Sequence, residues 1–170
     1  MSEFAPLKAS GLAKRFVTRR WNGARREVVA LQDLTLDLAP GEAFGLVGPN
    51  GAGKSTALKI LLGLIRADAG EAHLHGRPVS DPACRRGLGY LPEQANLYGH
   101  LSAREMVASS GRMHGLPGRE AASEADHWLG RLGLAEQAHL PLRGFSKGMT
   151  QRAALAHALA GRPRLLILDE

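Results

Sequence analysis

The sequence has a single cysteine, Cys84, and few aromatic side chains, 5% of its residues. One cysteine excludes an intrachain disulfide, so a reducing compartment is the natural home and Cys84 reads as an inert thiol. Long apolar runs are also missing. The longest stretch, around Ile60 to Ile65, is interrupted by Gly63 and falls far short of the ~20 residues that span a bilayer. The opening MSEFAPLKAS lacks the charged start and apolar stretch of a signal peptide. A cytosolic location is therefore expected, with membrane attachment only through another chain. Acidic residues are in the minority, 16 against 22 Lys and Arg, for a formal net charge of +6. A basic surface attracts nucleic acid, anionic lipid or polyphosphate. An arginine-rich solvated surface accounts for the same numbers, so charge alone does not choose among them.

At 170 residues the chain can bury one sizeable core. Its 21 glycines cluster at motif-like positions rather than in low-complexity tracts, which points to tight turns and backbone approach to a ligand. In 31–38 (LQDLTLDL), Leu34, Leu36 and Leu38 alternate with polar neighbours, the period of a half-buried strand. Pro40-Gly41 makes a turn, and 44–47 (FGLV) reads as a short, fully apolar strand. Helical character follows over 56–65. A strand is expected at 72–75, a turn at 76–78 and another strand at 88–91, stopped by Pro92. Ser102 and Glu105 fit a capping box, opening a helix to about Met113. A second helix spans 120–132 and a third, capped by Ser146, runs to Ala160. The continuous run 165–168 (LLIL) reads as a strand covered on both faces, as in a parallel sheet. The alternation of strands and helices predicts an α/β fold with an added N-terminal antiparallel sheet.

Gly48-Pro49-Asn50-Gly51-Ala52-Gly53-Lys54-Ser55 matches G-x-x-x-x-G-K-[ST]. Glycines let successive backbone N–H groups turn inward onto phosphate oxygens, and the next helix adds its unpaired first-turn N–H groups and the positive end of its dipole. Lys54 is placed to reach the β- and γ-phosphates, and Ser55 offers its hydroxyl to Mg²⁺. Thr56 adds a contact to the α-phosphate. The expected ligands are ATP and Mg²⁺.

The run 165–168 ends in Asp169-Glu170. A buried parallel strand delivers its C-terminal residues to the crevice where ligands sit. Asp169 would then face the Mg²⁺ and Glu170 polarise the attacking water; an exposed acidic turn after a strand is the alternative. Lys54 and Glu170 are the catalytic candidates.

Phe145-Ser146-Lys147-Gly148-Met149, then Gln151-Arg152 and AALAHALAGRPRLLILDE, resembles the signature region of the ABC ATPases, which reads L-S-G-G-Q, a Q-R pair, an alanine-rich helix, a proline and the acidic strand. Order and spacing match from Gly41 to Glu170, and more loosely from Leu12. The chain most resembles the ATPase subunits of ABC-2-type exporters, where S-K-G-M and Y-L-P-E wording is common.

The resemblance implies a P-loop NTPase core with a parallel sheet, an antiparallel β subdomain and a helical subdomain. Core and β subdomain would occupy about 1–90 and 160–170, and the helical subdomain about 95–155. Phe16 sits where the family stacks an aromatic on adenine, with Trp21 as a competitor and core packing as the alternative for both. The ATP-binding set is then Phe16, Gly48, Asn50, Gly51, Ala52, Gly53, Lys54, Ser55 and Thr56. Glu93 aligns with the glutamine of the loop that senses Mg²⁺, so the metal set is Ser55, Glu93 and Asp169; Gln94 is a neighbouring alternative. Ser146, Lys147, Gly148 and Met149 would close over the nucleotide of an opposite subunit, Lys147 replacing a glycine and Met149 a glutamine. The chain stops directly after the acidic strand, before the loop and histidine that the family places there. An incomplete domain is the expectation, with little ATP turnover by these 170 residues alone. The implied function is an ATP-hydrolysing subunit of an ABC transporter, on the inner face of the cell membrane. Its partners would be a transmembrane permease subunit and a second ATP-binding subunit. A non-transport ATPase acting on nucleic acid or ribosomes is the alternative; the segment between phosphate loop and signature is short and without a Cys pair, so nucleic acid is not expected as a partner.

Overall fold

The computed structural model describes residues 5–19, 21, 23 and 25–169. Contacts divide the chain into two units, Met1–Arg85 and Arg86–Glu170.

The first unit is built on a long hairpin. Strand β1 (Leu7–Arg19) pairs antiparallel with β2 (Arg25–Leu38), and β1 also pairs with β3 (Ala69–Leu74). The two-residue strand β4 (Arg77–Pro78) completes a sheet in the order β2-β1-β3-β4. The alternation expected in β2 holds, since Leu34, Leu36 and Leu38 are more covered than Asp33, Thr35 and Asp37. Leu7, Ala9, Leu12, Leu38, Ala72 and Leu74 are buried, as are Ala57, Ile60 and Leu61 of helix α1 (Lys54–Leu61), which packs on β1, β2 and β3. Asp68 fastens the sheet: its carboxylate accepts from Lys14 Nζ and the Arg15 amide, both at 2.7 Å. Those two donors hold its pKa below the ordinary aspartate value.

Four expectations need correction in this unit. The strand expected at 44–47 is absent; Phe44 and Val47 are 55% and 94% exposed. A strand requires a partner for its N–H and C=O groups, and among the described residues no main-chain group accepts from the amides of 43–48. Helix α1 begins at Lys54 and stops at Leu61 rather than Ile65. Gly63, at φ 69°, ends it: the Leu64 amide reaches Lys59 O at 2.8 Å and the Gly63 amide reaches Ile60 O at 2.9 Å, the Schellman pattern in which a left-handed residue closes the helix. The turn expected at 76–78 is the two-residue link His75-Gly76, both at positive φ, a hairpin connection whose twist matches its strands. His75 therefore lies outside the strand that carries His73. Strand β1 and the first half of β2 were not anticipated.

In the second unit β5 (Leu88–Leu91) and β6 (Leu165–Leu168) form a parallel pair. Helices α2 (Ala103–Met113), α3 (Gly118–Arg131) and α4 (Lys147–Leu159) pack on one another around Met106, Val107, Leu129, Leu134 and a row of alanines. The capping box at α2 is complete, with the Glu105 amide donating to Ser102 Oγ at 3.2 Å and the Ser102 amide to the Glu105 carboxylate at 2.9 Å. Arg104 and Asp126 join α2 to α3 through a two-pronged ion pair at 2.7 and 3.0 Å. The expectation that β6 is covered on both faces fails. Leu165 and Ile167, on one face of the strand, are buried, but Leu168, on the other, is 54% exposed.

Candidate functional site

The glycine loop lies in the first unit, between the open segment and α1. Pro49 O accepts from the Ala52 amide at 3.1 Å, closing a turn through Asn50 and Gly51. Gly53 is the N-cap of α1 at φ 90°. A Cβ there would collide with the Ala30 carbonyl, so the loop is drawn against β2 where only glycine fits. Lys54 Nζ folds over the loop and donates to Gly48 O at 2.6 Å and Pro49 O at 3.1 Å. Ser55 is exposed on the first turn of α1, beside half-buried Thr56. The first-turn amides of a helix have no acceptor within it, so loop and helix together present N–H groups, a cation and a hydroxyl at one place. That set fits a polyphosphate with its metal. A groove of about 530 Å³ runs between 29–34 of β2 and Gly51-Ala52. Phe16, 40% exposed on β1, lies opposite Val28, with Lys14 Nζ 5.7 Å from its ring centre. Trp21 is fully exposed.

The other candidates lie in the second unit. The Asp169 amide donates to Leu91 O at 2.9 Å, extending the β5–β6 ladder by one residue. The Asp169 carboxylate lies near the Tyr90 hydroxyl; burial pushes the phenol pKa up, and the carboxylate adds to the rise. Nothing in the sequence marked Tyr90 as that neighbour. Glu170 lies outside the described residues. Glu93 and Gln94 are both exposed after β5. Glu93 faces Gly148, Gln151 and Arg152 of α4 across a groove of about 210 Å³.

Ser146 caps α4, its Oγ accepting from the Met149 amide at 3.3 Å. Lys147 and Gly148 are exposed on the first turn, while Met149 is half-buried against the helical core. Arg152 then locks this end of α4: its guanidinium donates to Leu132 O at 2.9 Å, at the end of α3, and to Gly133 O at 3.4 Å. The sequence reading counted Arg152 only as half of a Q-R pair. In the first unit, buried Cys84 has its thiol pKa pushed up by burial, which keeps it protonated and unreactive.

The ABC transporter family matches residues 31–170. The chain belongs to that family. It is similar to the Nod factor export ATP-binding protein I of Burkholderia thailandensis, 40% identical over 144 residues, or 84% of this chain and 47% of that one. It is also similar to the taurine import ATP-binding protein TauB of Roseobacter denitrificans, 38% identical over 143 residues, 84% of this chain and 53% of the relative. Among solved structures, the dimeric post-hydrolysis state of the ATP-binding cassette MJ0796 bound to ADP and Pi superposes with a TM-score of 0.84. It shares 26% identity, over 96% of this chain and 73% of that one. The chain spans about half the length of the curated relatives it matches. An export and an import protein match about equally well, so similarity does not give a direction of transport.

Proposed function

We propose that the chain is the nucleotide-binding part of an ABC-type ATPase subunit that powers a membrane transporter. The observation that carries this reading is the glycine loop: Lys54 held over Gly48 and Pro49 at the N-terminus of α1, in a chain of the ABC transporter family. The loop amides and the α1 dipole bind the phosphates, and Lys54 exchanges its two loop carbonyls for phosphate oxygens. ATP supplies the phosphoanhydride bond and Mg²⁺ the positive charge that eases its cleavage. Ser55, Asp169 and Glu93 are the residues proposed to hold the metal, and Glu170 the base that takes a proton from water. Ser146, Lys147, Gly148 and Met149 are proposed to reach the nucleotide of a second ATP-binding subunit. Phe16 is proposed to stack on adenine, since a base needs only a π-face.

The finer proposal is an exporter, resting on the Ser146-to-Met149 and Tyr90-to-Glu93 wording. Such a subunit sits on the inner face of the membrane against a permease subunit, and the region about 95–155 forms its helical part. Among the described residues no helix is long and apolar enough to cross a membrane. The 170-residue chain alone is proposed to bind ATP with little turnover, because the segment leading into the loop, 43–48, has no strand partner among the described residues.

Titration with a fluorescent ATP analogue tests nucleotide binding, with Lys54→Ala as the control. Saturable binding that Lys54→Ala removes supports the reading; binding indifferent to that change sinks it. Co-purification of the longer gene product with a multi-spanning membrane protein tests transport.

A further inference from the structure

The outer half of the β1–β2 hairpin stands free of its own sheet. Arg15 to Arg19 and Arg25 to Val29 are all exposed, so both faces of this ribbon meet solvent. An isolated two-stranded ribbon is marginally stable in water, yet this one keeps Val17 61% and Val29 54% exposed. Among the described residues four arginines line it. Arg15 is paired with Glu27 at 3.1 Å, whereas Arg19, Arg25 and Arg26 have no ion pair among the described residues. Arg19 lies directly opposite Arg25 in the ladder, and like charges facing across a sheet repel. Trp21 projects from the connecting turn, 101% exposed. An excess of positive charge over the single carboxylate of Glu27, with an uncovered tryptophan and uncovered valines, at one end of a ribbon calls for an anionic partner with an apolar layer beneath.

We propose that this hairpin tip, through Arg19, Arg25, Arg26 and Trp21, binds the surface of an anionic lipid bilayer. Tryptophan settles at the headgroup level with its ring in the apolar boundary, and each arginine near an anionic leaflet adds attraction that salt screens. Nucleic acid is the poorer fit. Apart from arginine, Thr18 and Glu27, the described residues of the outer ribbon offer no polar side chain that reads base edges, and valines give nothing to phosphates. The site rests on the transporter reading only for the membrane being close at hand. It includes neither the phosphate loop nor Phe16, so vesicle binding and nucleotide binding are read separately.

Co-sedimentation of the 170-residue chain with phosphatidylcholine vesicles, with and without one-third phosphatidylglycerol, tests the proposal. Binding is expected on the anionic vesicles and about tenfold weaker or less on neutral ones, falling as salt rises. Triple reversal of Arg19, Arg25 and Arg26 to Glu should weaken it by about a hundredfold and leave binding of the ATP analogue unchanged. In the unaltered chain, brominated lipid should quench the emission lost in Trp21→Phe, a readout that needs no charge variant to fold. Equal binding to neutral vesicles, indifference to the reversals, or an unquenched Trp21 overturns the proposal. Tighter binding to duplex DNA, abolished by the same three reversals, overturns it in favour of nucleic acid. Vesicle binding without any nucleotide binding refutes the ATPase reading and leaves this one standing.

Discussion

The ammonium of Lys54 lies 2.6 Å from the carbonyl oxygen of Gly48 and 3.1 Å from that of Pro49. The lysine thus folds back over its own loop, the place proposed above for a triphosphate. Replacing it by alanine removes a charge-assisted contact worth about 2–3 kcal/mol. The affinity for the ATP analogue should fall by roughly thirtyfold to a hundredfold. Retained affinity in Lys54→Ala would falsify the role given to this side chain.

Gly53 and Gly48 bracket the loop but face different constraints. Gly53 sits at φ 90° with the Ala30 carbonyl where its Cβ would go, whereas a Cβ on Gly48 would meet only the Ala52 methyl, at 3.3 Å. Gly53→Ala should therefore cost at least about 2 kcal/mol of stability through left-handed strain and the clash. Gly48→Ala should cost under about 1 kcal/mol. Urea midpoints of the two variants check the order; if they match, the close approach to β2 is not what fixes Gly53.

His157, half-buried on α4, has its pKa lowered from 6.5 by burial and then by His114. Its Nε2 is buried and has no hydrogen-bond partner among the described residues. The unfolded chain therefore takes up this proton before the folded one does, and stability is lost as pH falls below 6.5 toward the folded value. The depressed carboxylates, Asp68, Asp81, Glu105 and Asp126, act in a separate window, below their ordinary values of 3.8 and 4.5. Urea unfolding followed by Trp128, packed on the helical core of the same unit, should show a lower midpoint at pH about 5.5 than at pH about 7. His157→Leu should flatten that slope. A slope that survives the substitution assigns the proton elsewhere.

How much of this was legible in the sequence follows from the range of each interaction. The capping box at Ser102 and the cap at Ser146 close within one helical turn, and both could be read from residue type and spacing. The glycine loop was legible for the same reason. The run 44–47 was misread because apolar composition reports a wish for burial and says nothing of which strand would pair with it. Strand β1 was missed because Gly11 and its register shifts break the alternation, and because the outer ribbon buries nothing. Gly63 was seen to interrupt an apolar run, but its role as the residue that closes α1 needed a backbone angle. The contacts of Arg104 with Asp126, of Arg152 with Leu132, and of Tyr90 with Asp169 join residues far apart in sequence. No local pattern announces them.

Arg152 and Ser146 hold the first turn of α4 by different means, and their variants should differ accordingly. Ser146→Ala loses one cap bond and should destabilise the second unit by about 1 kcal/mol, with Ser146→Asp restoring most of it. Arg152→Ala removes the bridge from α4 to the carbonyls of Leu132 and Gly133, leaving those at the α3 terminus open to water. Because the arginine is exposed, the cost in global stability should stay near or below about 1 kcal/mol. The larger effect is local: with its tether gone, the turn carrying Lys147 and Gly148 should exchange its amide hydrogens faster, while those in the α4 interior, such as Ala154 and Ala156, keep their protection. Hydrogen exchange by mass spectrometry on both variants decides the matter. Unchanged exchange at 147–150 in Arg152→Ala would mean that the cap alone fixes this turn.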